Sequence, residues 1–207
     1  MVFGSLFRRT PAQKAGGKIL VAFASQTGAA ERIAWLSANA LARAGAAGNA
    51  VRVAALGSLT AADLAGAGTL LVVTSTYGAG EAPDTARAFA RKQMTQAASF
   101  QGLRHGVLAL GDRKYDATFC GFGKSVDRWL AQSGARRLFD IVCVDGDDDD
   151  AAMTRWSEHL GRLGARTTAE ALMPGPPQDW LLAERRLLNP GSPGGEAWHL
   201  ALTPKIP

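Results

Sequence analysis

The sequence predicts an α/β protein: a doubly wound parallel sheet with helices on both faces. Three observations predict it. Five short apolar runs of strand type recur between residues 18 and 144. Segments with helical spacing alternate with them, and the joins are short, so right-handed crossovers must place helices on both faces of the sheet.

"KILVAF" from Lys18 is a continuous apolar run, as a strand covered on both faces requires. A helix follows, with Ile33, Leu36, Ala40 and Leu41 on one stripe, ending near Gly45. "AVRVAAL" (50–56) reads as the second strand and "TLLVVTST" (69–76), rich in β-branched residues, as the third. Asp84, after Pro83, is placed to cap a helix carrying Ala86, Phe89 and Ala90. "HGVLALG" (105–111) is the fourth strand, followed by a helix with Phe122, Val126, Trp129 and Leu130 on one stripe. "RLFDIVCV" (137–144) is the fifth, and a last helix carries Met153, Trp156, Leu160 and Leu163.

This divides the chain into a flexible basic tail (1–17), an α/β domain (18–165) and a linker with the start of something further (166–207). In the last part "MPGPPQDW" is a Pro/Gly linker, and a turn-rich stretch leads into "AWHLALT", where Trp198, Leu200 and Leu202 alternate as in a strand. That strand has no following partner in the sequence: it is expected either to pack back on the core or, the favoured reading, to open a domain that continues beyond it.

With 207 residues, 47% hydrophobic and 20% charged, the composition is that of an ordinary globular chain. No apolar run approaches the roughly 20 residues of a membrane helix, and the first residues lack the apolar core of a secretory signal. The two cysteines, Cys120 and Cys143, suit a reducing compartment. A cytoplasmic location is expected, with membrane attachment only through an N-terminal anchor of a longer protein. The net charge of +5 is spread along the chain without interleaved aromatics, which argues against a nucleic-acid partner.

In an open parallel sheet, ligands bind beyond the carboxyl ends of the strands. Three such ends here are unusual. "SQTGAAE" joins the first strand to its helix, where free N–H groups and the helix dipole suit a phosphate. Ser25 and Thr27 add hydroxyls, and Gly28 allows a tight turn. The lack of lysine argues against a nucleoside triphosphate, and the lack of GxGxxG against a dinucleotide. A plain helix cap by Ser25 or Thr27 is the simpler alternative. "STYGAGEAPD" sets Tyr77 on a loop with Gly78 and Gly80, and "LGDRKYDATFCGFGK" bears Tyr115 and Phe119, with Cys120 as a soft wall. Together a phosphate cup and two aromatic loops describe a slot for a flat phosphorylated ring.

In order and spacing these three segments resemble the FMN-binding, flavodoxin-like domain of the diflavin reductases, the NADPH-cytochrome reductases and the sulfite reductase flavoprotein alpha subunit. The resemblance covers residues 18 to about 163, and "RRLLNPGSPGGEAWHLAL" is similar to the connection into the FAD-binding half of such reductases. It implies a flavodoxin-like sheet in the strand order 2-1-3-4-5. It also implies that Ser25, Gln26, Thr27, Gly28, Ala29 and Ala30 hold the FMN phosphate. Ser75, Thr76, Tyr77 and Gly78 would bring Tyr77 against one face of the ring. Leu110, Gly111, Asp112, Arg113, Lys114, Tyr115, Asp116, Phe119 and Cys120 would form the other wall. That last loop is a residue longer than usual between Tyr115 and Phe119, which leaves either ring as the one over the second face. Ala79 stands where the family often has an acidic residue, and Asp145 and Asp147 lie near a position that can approach the flavin.

The resemblance further implies an oxidoreductase module. FMN would carry the electrons, FAD and NADPH would sit on an absent or partner reductase module, and a haem, iron–sulfur or iron(III) acceptor would take them. A carbonyl of the Gly78-Ala79 peptide would accept a hydrogen bond from the reduced ring. No catalytic residue and no metal are expected. A free-standing flavodoxin and a flavin-free interaction domain of the same fold are the alternatives. For the second, a receiver-like module would need an acidic pair at the first strand end, and "FASQTG" has none.

Overall fold

The computed structural model describes residues 18–44, 50–146, 149–173 and 179–205. The expected basic tail, and Asp147, lie outside the described residues. The described residues up to Met173 form one compact unit and those from Asp179 a second.

In the first unit β1 (Ile19–Ala24) is flanked by β2 (Val51–Ala55) and β3 (Thr69–Ser75), all parallel. Next comes β4 (Arg104–Gly111), and at the far edge β5 (Arg136–Arg137) and β6 (Val142–Asp145) both pair with β4. The strand order is therefore 2-1-3-4 followed by a divided fifth position, and the doubly wound sheet read from the sequence is present.

The division corrects the single fifth strand expected over 137–144. Between paired positions His105↔Arg137 and Leu108↔Val142 the edge strand has two residues more than β4. The surplus interrupts the pairing, and Phe139 lies over Gly106, its ring filling the space a side chain there would need.

Side chains alternate across the sheet, so each face builds its own core. Leu70 and Val72 of β3 join one cluster; Leu71 and Val73 join the other. The first cluster is covered by α2 (Ala61–Ala65), α3 (Arg87–Lys92) and α4 (Gly121–Gln132), with Trp129 edge-on to Phe89 and Phe100 at centroid distances of 5.6 and 5.1 Å. α1 (Ala29–Arg43) and α5 (Asp150–Arg162) cover the second. There the indole of Trp156 donates to Ser37 Oγ at 3.0 Å, so the one polar atom of a fully buried ring is satisfied. α6 (Ala169–Leu172) adds Ala169 and Leu172 to that core, carrying the unit past the boundary expected at 165.

Helix α2, which the sequence reading left unassigned, starts at a capping box between Thr60 and Asp63. Asp84 does not cap: a short 3-10 turn at Asp84–Ala86 precedes α3, and the carboxylate pairs with Arg87 at 3.0 Å.

The second unit is a hairpin of β7 (Trp180–Leu187) and β8 (Trp198–Pro204). The strand around Trp198 thus has a partner, the preceding stretch read from sequence as turn-rich. Cross-strand pairs Leu187/Trp198, Leu182/Leu202 and Trp180/Pro204 share one face, and Arg185 lies over the Trp198 ring at 3.9 Å. A register shift between Leu182 and Glu184 keeps Trp180, Leu182 and Leu187 on that face.

Candidate functional site

The carboxyl ends of β1, β3, β4 and β6 meet around one cleft of about 340 Å³. Its walls bring together Thr27 and Ala29 from the first loop, Ser75, Thr76 and Gly78 from the second, and Leu110, Gly111, Asp112, Tyr115, Phe119 and Cys120 from the third.

The first loop is built to leave donors free. Gly28 stands at the head of α1 with φ +94°, and α1 has no side-chain cap. Ser25 and Thr27 therefore do not cap the helix in the simple sense. Ser25, buried, closes the turn instead: its Oγ accepts from Gly28 N–H at 2.8 Å, while its own N–H and carbonyl engage Thr85 Oγ1. Gln26 N–H donates to Ser75 Oγ at 3.2 Å, and its side-chain oxygen accepts from Asp84 N–H. The loop is thus held by its neighbours, yet the N–H groups of Thr27, Ala29 and Ala30 meet no acceptor among the described residues. Unpaired amides at the positive end of a helix form an anion site. Ala30 is buried in the core beneath and contributes only its backbone.

The second loop turns back at once: Tyr77 and Glu81 exchange backbone hydrogen bonds at 3.0 and 2.8 Å, with Gly78 and Gly80 at φ +50° and +101°. Tyr77 stands exposed outside the cleft lining, with the Arg87 guanidinium 5.7 Å from its ring centre. Thr76 Oγ1 is buried on the cleft wall without a hydrogen-bond partner among the described residues, a polar atom that a bound group can satisfy.

The third loop separates the two rings left open by the sequence. Phe119 is 9% exposed, belongs to the first core cluster, and lies under Arg113 and Lys124. Tyr115 is 56% exposed on the cleft wall, held up by a non-helical turn in the 3-10 segment Arg113–Thr118. Asp112 caps that segment through Lys114 N–H and pairs with Lys114 Nζ at 2.8 Å. Lys114 holds the Asp112 carboxyl below its usual value. Arg113 turns away to Asp145, whose carboxylate accepts its backbone N–H at 2.8 Å. Asp116 closes the segment through its carbonyl, which accepts Phe119 N–H. Of the expected site residues, then, Ser25, Gln26, Gly28, Ala30, Tyr77, Arg113, Lys114 and Asp116 support or flank the cleft without lining it.

Two lining residues were missed. Thr118 sits inside the third loop, and Gly146 follows β6 with φ +67°, its N–H bonded to Gly111 O at 2.9 Å. The "VDG" at a strand's carboxyl end was the available signal for Gly146.

An anion cup, a buried unpartnered hydroxyl and an exposed tyrosine on one cleft fit a phosphorylated planar ligand such as FMN. Among the described residues no group of His, Cys, Asp and Glu could hold a metal.

The known proteins agree. A family model described as Flavodoxin matches residues 21–159. The sulfite reductase (NADPH) flavoprotein alpha-component of Vibrio cholerae is 37% identical over 150 residues, covering 72% of this chain and 24% of that protein. The corresponding protein of Neisseria meningitidis serogroup C is 37% identical over 146 residues, with coverage of 70% and 23%. The chain spans about a quarter of the length of these curated relatives. Among solved structures, the Streptococcus pneumonia TIGR4 flavodoxin aligns with a TM-score of 0.61 at 30% identity, covering 70% of this chain and 96% of that one. A cysteine-to-alanine variant of the Pseudomonas aeruginosa flavodoxin aligns at 0.58 and 28%, covering 75% and 98%.

Proposed function

The chain belongs to the flavodoxin family, whose cofactor is FMN, and we propose that it is the FMN-binding electron-transfer module of an NADPH-dependent diflavin reductase of the sulfite reductase flavoprotein type. One observation carries the reading: the uncapped head of α1 opens onto the same cleft as the buried Thr76 hydroxyl and the exposed Tyr115 ring.

In this reading the N–H groups of Thr27, Ala29 and Ala30, with the Thr27 hydroxyl, hold the phosphate by dipoles and hydrogen bonds rather than by a lysine. Ser25 and Ser75 fix the loop so that little ordering remains for binding. Tyr115 covers one face of the ring, Tyr77 flanks the other, and Leu110, Phe119 and Cys120 keep water from the cleft floor. When bound, FMN supplies the electron transfer; the chain orients it and sets its surroundings.

Electrons would reach the module from NADPH through an FAD-bearing module and leave to a haem or iron–sulfur protein. The hairpin at 180–204 supports a continuing reductase: its Trp and Leu face is exposed, and an isolated two-stranded hairpin is only marginally stable without cover. The module acts in the cytoplasm in this reading. The test is the visible spectrum of the purified chain after supply of FMN: flavin bands that comigrate with the protein, and fluorescence regained on denaturation, are the expected result. A folded chain that takes up no FMN would contradict the proposal.

A further inference from the structure

The chain has two cysteines, and both border Ala109. Cys143 on β6 is in register with Ala109 on β4. Cys120, at the head of α4, has its sulfur 3.1 Å from the Ala109 carbonyl oxygen. Alternation on β6 sends Val142 and Val144 to one core cluster and Cys143 to the other, the same cluster that contains Cys120 and Ala109. The two sulfurs therefore lie on one face of the sheet, flanking one residue. Cys143 is half-buried and Cys120 fully so.

We propose that Cys120 and Cys143 form a peroxide-oxidisable dithiol, with Cys143 as the attacking thiol and Cys120 as the resolving one. The Cys143 sulfur attacks hydrogen peroxide, the O–O bond breaks, and a sulfenic acid and hydroxide result. Cys120 then attacks the Cys143 sulfur; the S–O bond breaks, and the hydroxyl leaves with the Cys120 proton as water. In sum, two thiols and one peroxide give one disulfide and two waters.

The surroundings support these roles. The neighbouring Cys120 thiol lowers Cys143 to about 7 against its burial, helped by Lys124, Arg113 and Arg155. The same pairing and burial push Cys120 up, so of the two sulfurs the less buried Cys143 is the one favoured for deprotonation. Cys120 holds a left-handed backbone (φ +56°) on the cleft wall, so the disulfide would tie the third loop to β6.

The dithiol does not depend on FMN binding, and its test reads thiols alone. The full chain, stripped of flavin, is treated with hydrogen peroxide; intact mass is recorded and free thiols are titrated in denaturant. The expected outcome is loss of both thiols together with a mass lower by about 2 Da in a monomer, reversed by dithiothreitol. Cys120→Ser should instead stop at a dimedone-trappable acid on Cys143, and Cys143→Ser should leave Cys120 reduced. Retention of both thiols in the unmodified chain, disulfide-linked dimers, or oxidation of Cys120 in Cys143→Ser would overturn the proposal.

Discussion

Gly121, the first residue of α4, packs against Gly80 so closely that a Cβ there would stand 2.9 Å from the Gly80 Cα. Through this contact the third loop supports the turn that carries Tyr77 and Gly78. Gly121→Ala must push the turn away, at a cost of about 1–3 kcal/mol shared between strain and displacement. FMN affinity is expected to fall about tenfold (about 1.4 kcal/mol) with the far-UV circular dichroism unchanged. Flavin titration checks it.

Thr27→Glu places a carboxylate among the free amides of the α1 head. Two effects of opposite sign follow. The negative charge complements the helix dipole and raises stability of the flavin-free chain by about 0.3–1 kcal/mol. It also repels the phosphate, and FMN affinity is expected to fall by about a hundredfold. Thermal unfolding of the flavin-free chain and FMN titration together read both.

Tyr115 and Phe119 separate binding from folding. Phe119 belongs to the core, so Phe119→Ala is expected to cost about 3–5 kcal/mol of stability. Tyr115 is exposed, and Tyr115→Ala should leave the denaturant midpoint unchanged while weakening FMN binding by about 0.5–1.5 kcal/mol of lost stacking. Urea unfolding and flavin titration of both variants decide it.

At the opposite end of the sheet, Asp127 joins β4, α4 and β5: it accepts two hydrogen bonds from Arg137 Nε and Nη2 at 2.9 and 2.7 Å and lies 3.0 Å from His105 Nε2. Burial pushes its carboxyl up, but the His105 and Arg137 hydrogen bonds and charge bring it below the ordinary value of 3.8. A carboxyl lowered in the folded state stabilises above its unfolded pKa and loses that contribution as pH falls through the folded one. The chain should therefore weaken below about pH 4, and Asp127→Asn, leaving His105 and a half-exposed Arg137 unpaired, should cost about 2–3 kcal/mol at neutral pH. The variant should also show a smaller loss of stability on acidification. Denaturant midpoints measured from pH 3 to 7 test both.

Much of this was legible in the sequence, because apolar runs and helical stripes are one-dimensional records of a sheet covered on both faces. The three loop sequences announced the cleft for the same reason: glycines and hydroxyls after a strand have few other uses. What stayed hidden depends on local backbone geometry and on packing partners. The choice between Tyr115 and Phe119 turns on a non-helical residue inside the 3-10 segment and on the cations over Phe119. Gly146 reaches the cleft only because β6 ends beside Gly111. The divided edge strand reflects the Phe139–Gly106 contact, and β7 was obscured by the charged residues and the register shift along it.

The central claim is that uncharged amides at the head of α1 grip a phosphate and so place a flavin in the cleft. Parallel titrations of the flavin-free chain with FMN and with riboflavin, which lacks the phosphate, test it most directly. FMN should bind at least about a hundredfold more tightly, a difference of about 2.7 kcal/mol. Equal affinity for the two flavins, or none for either, would contradict it.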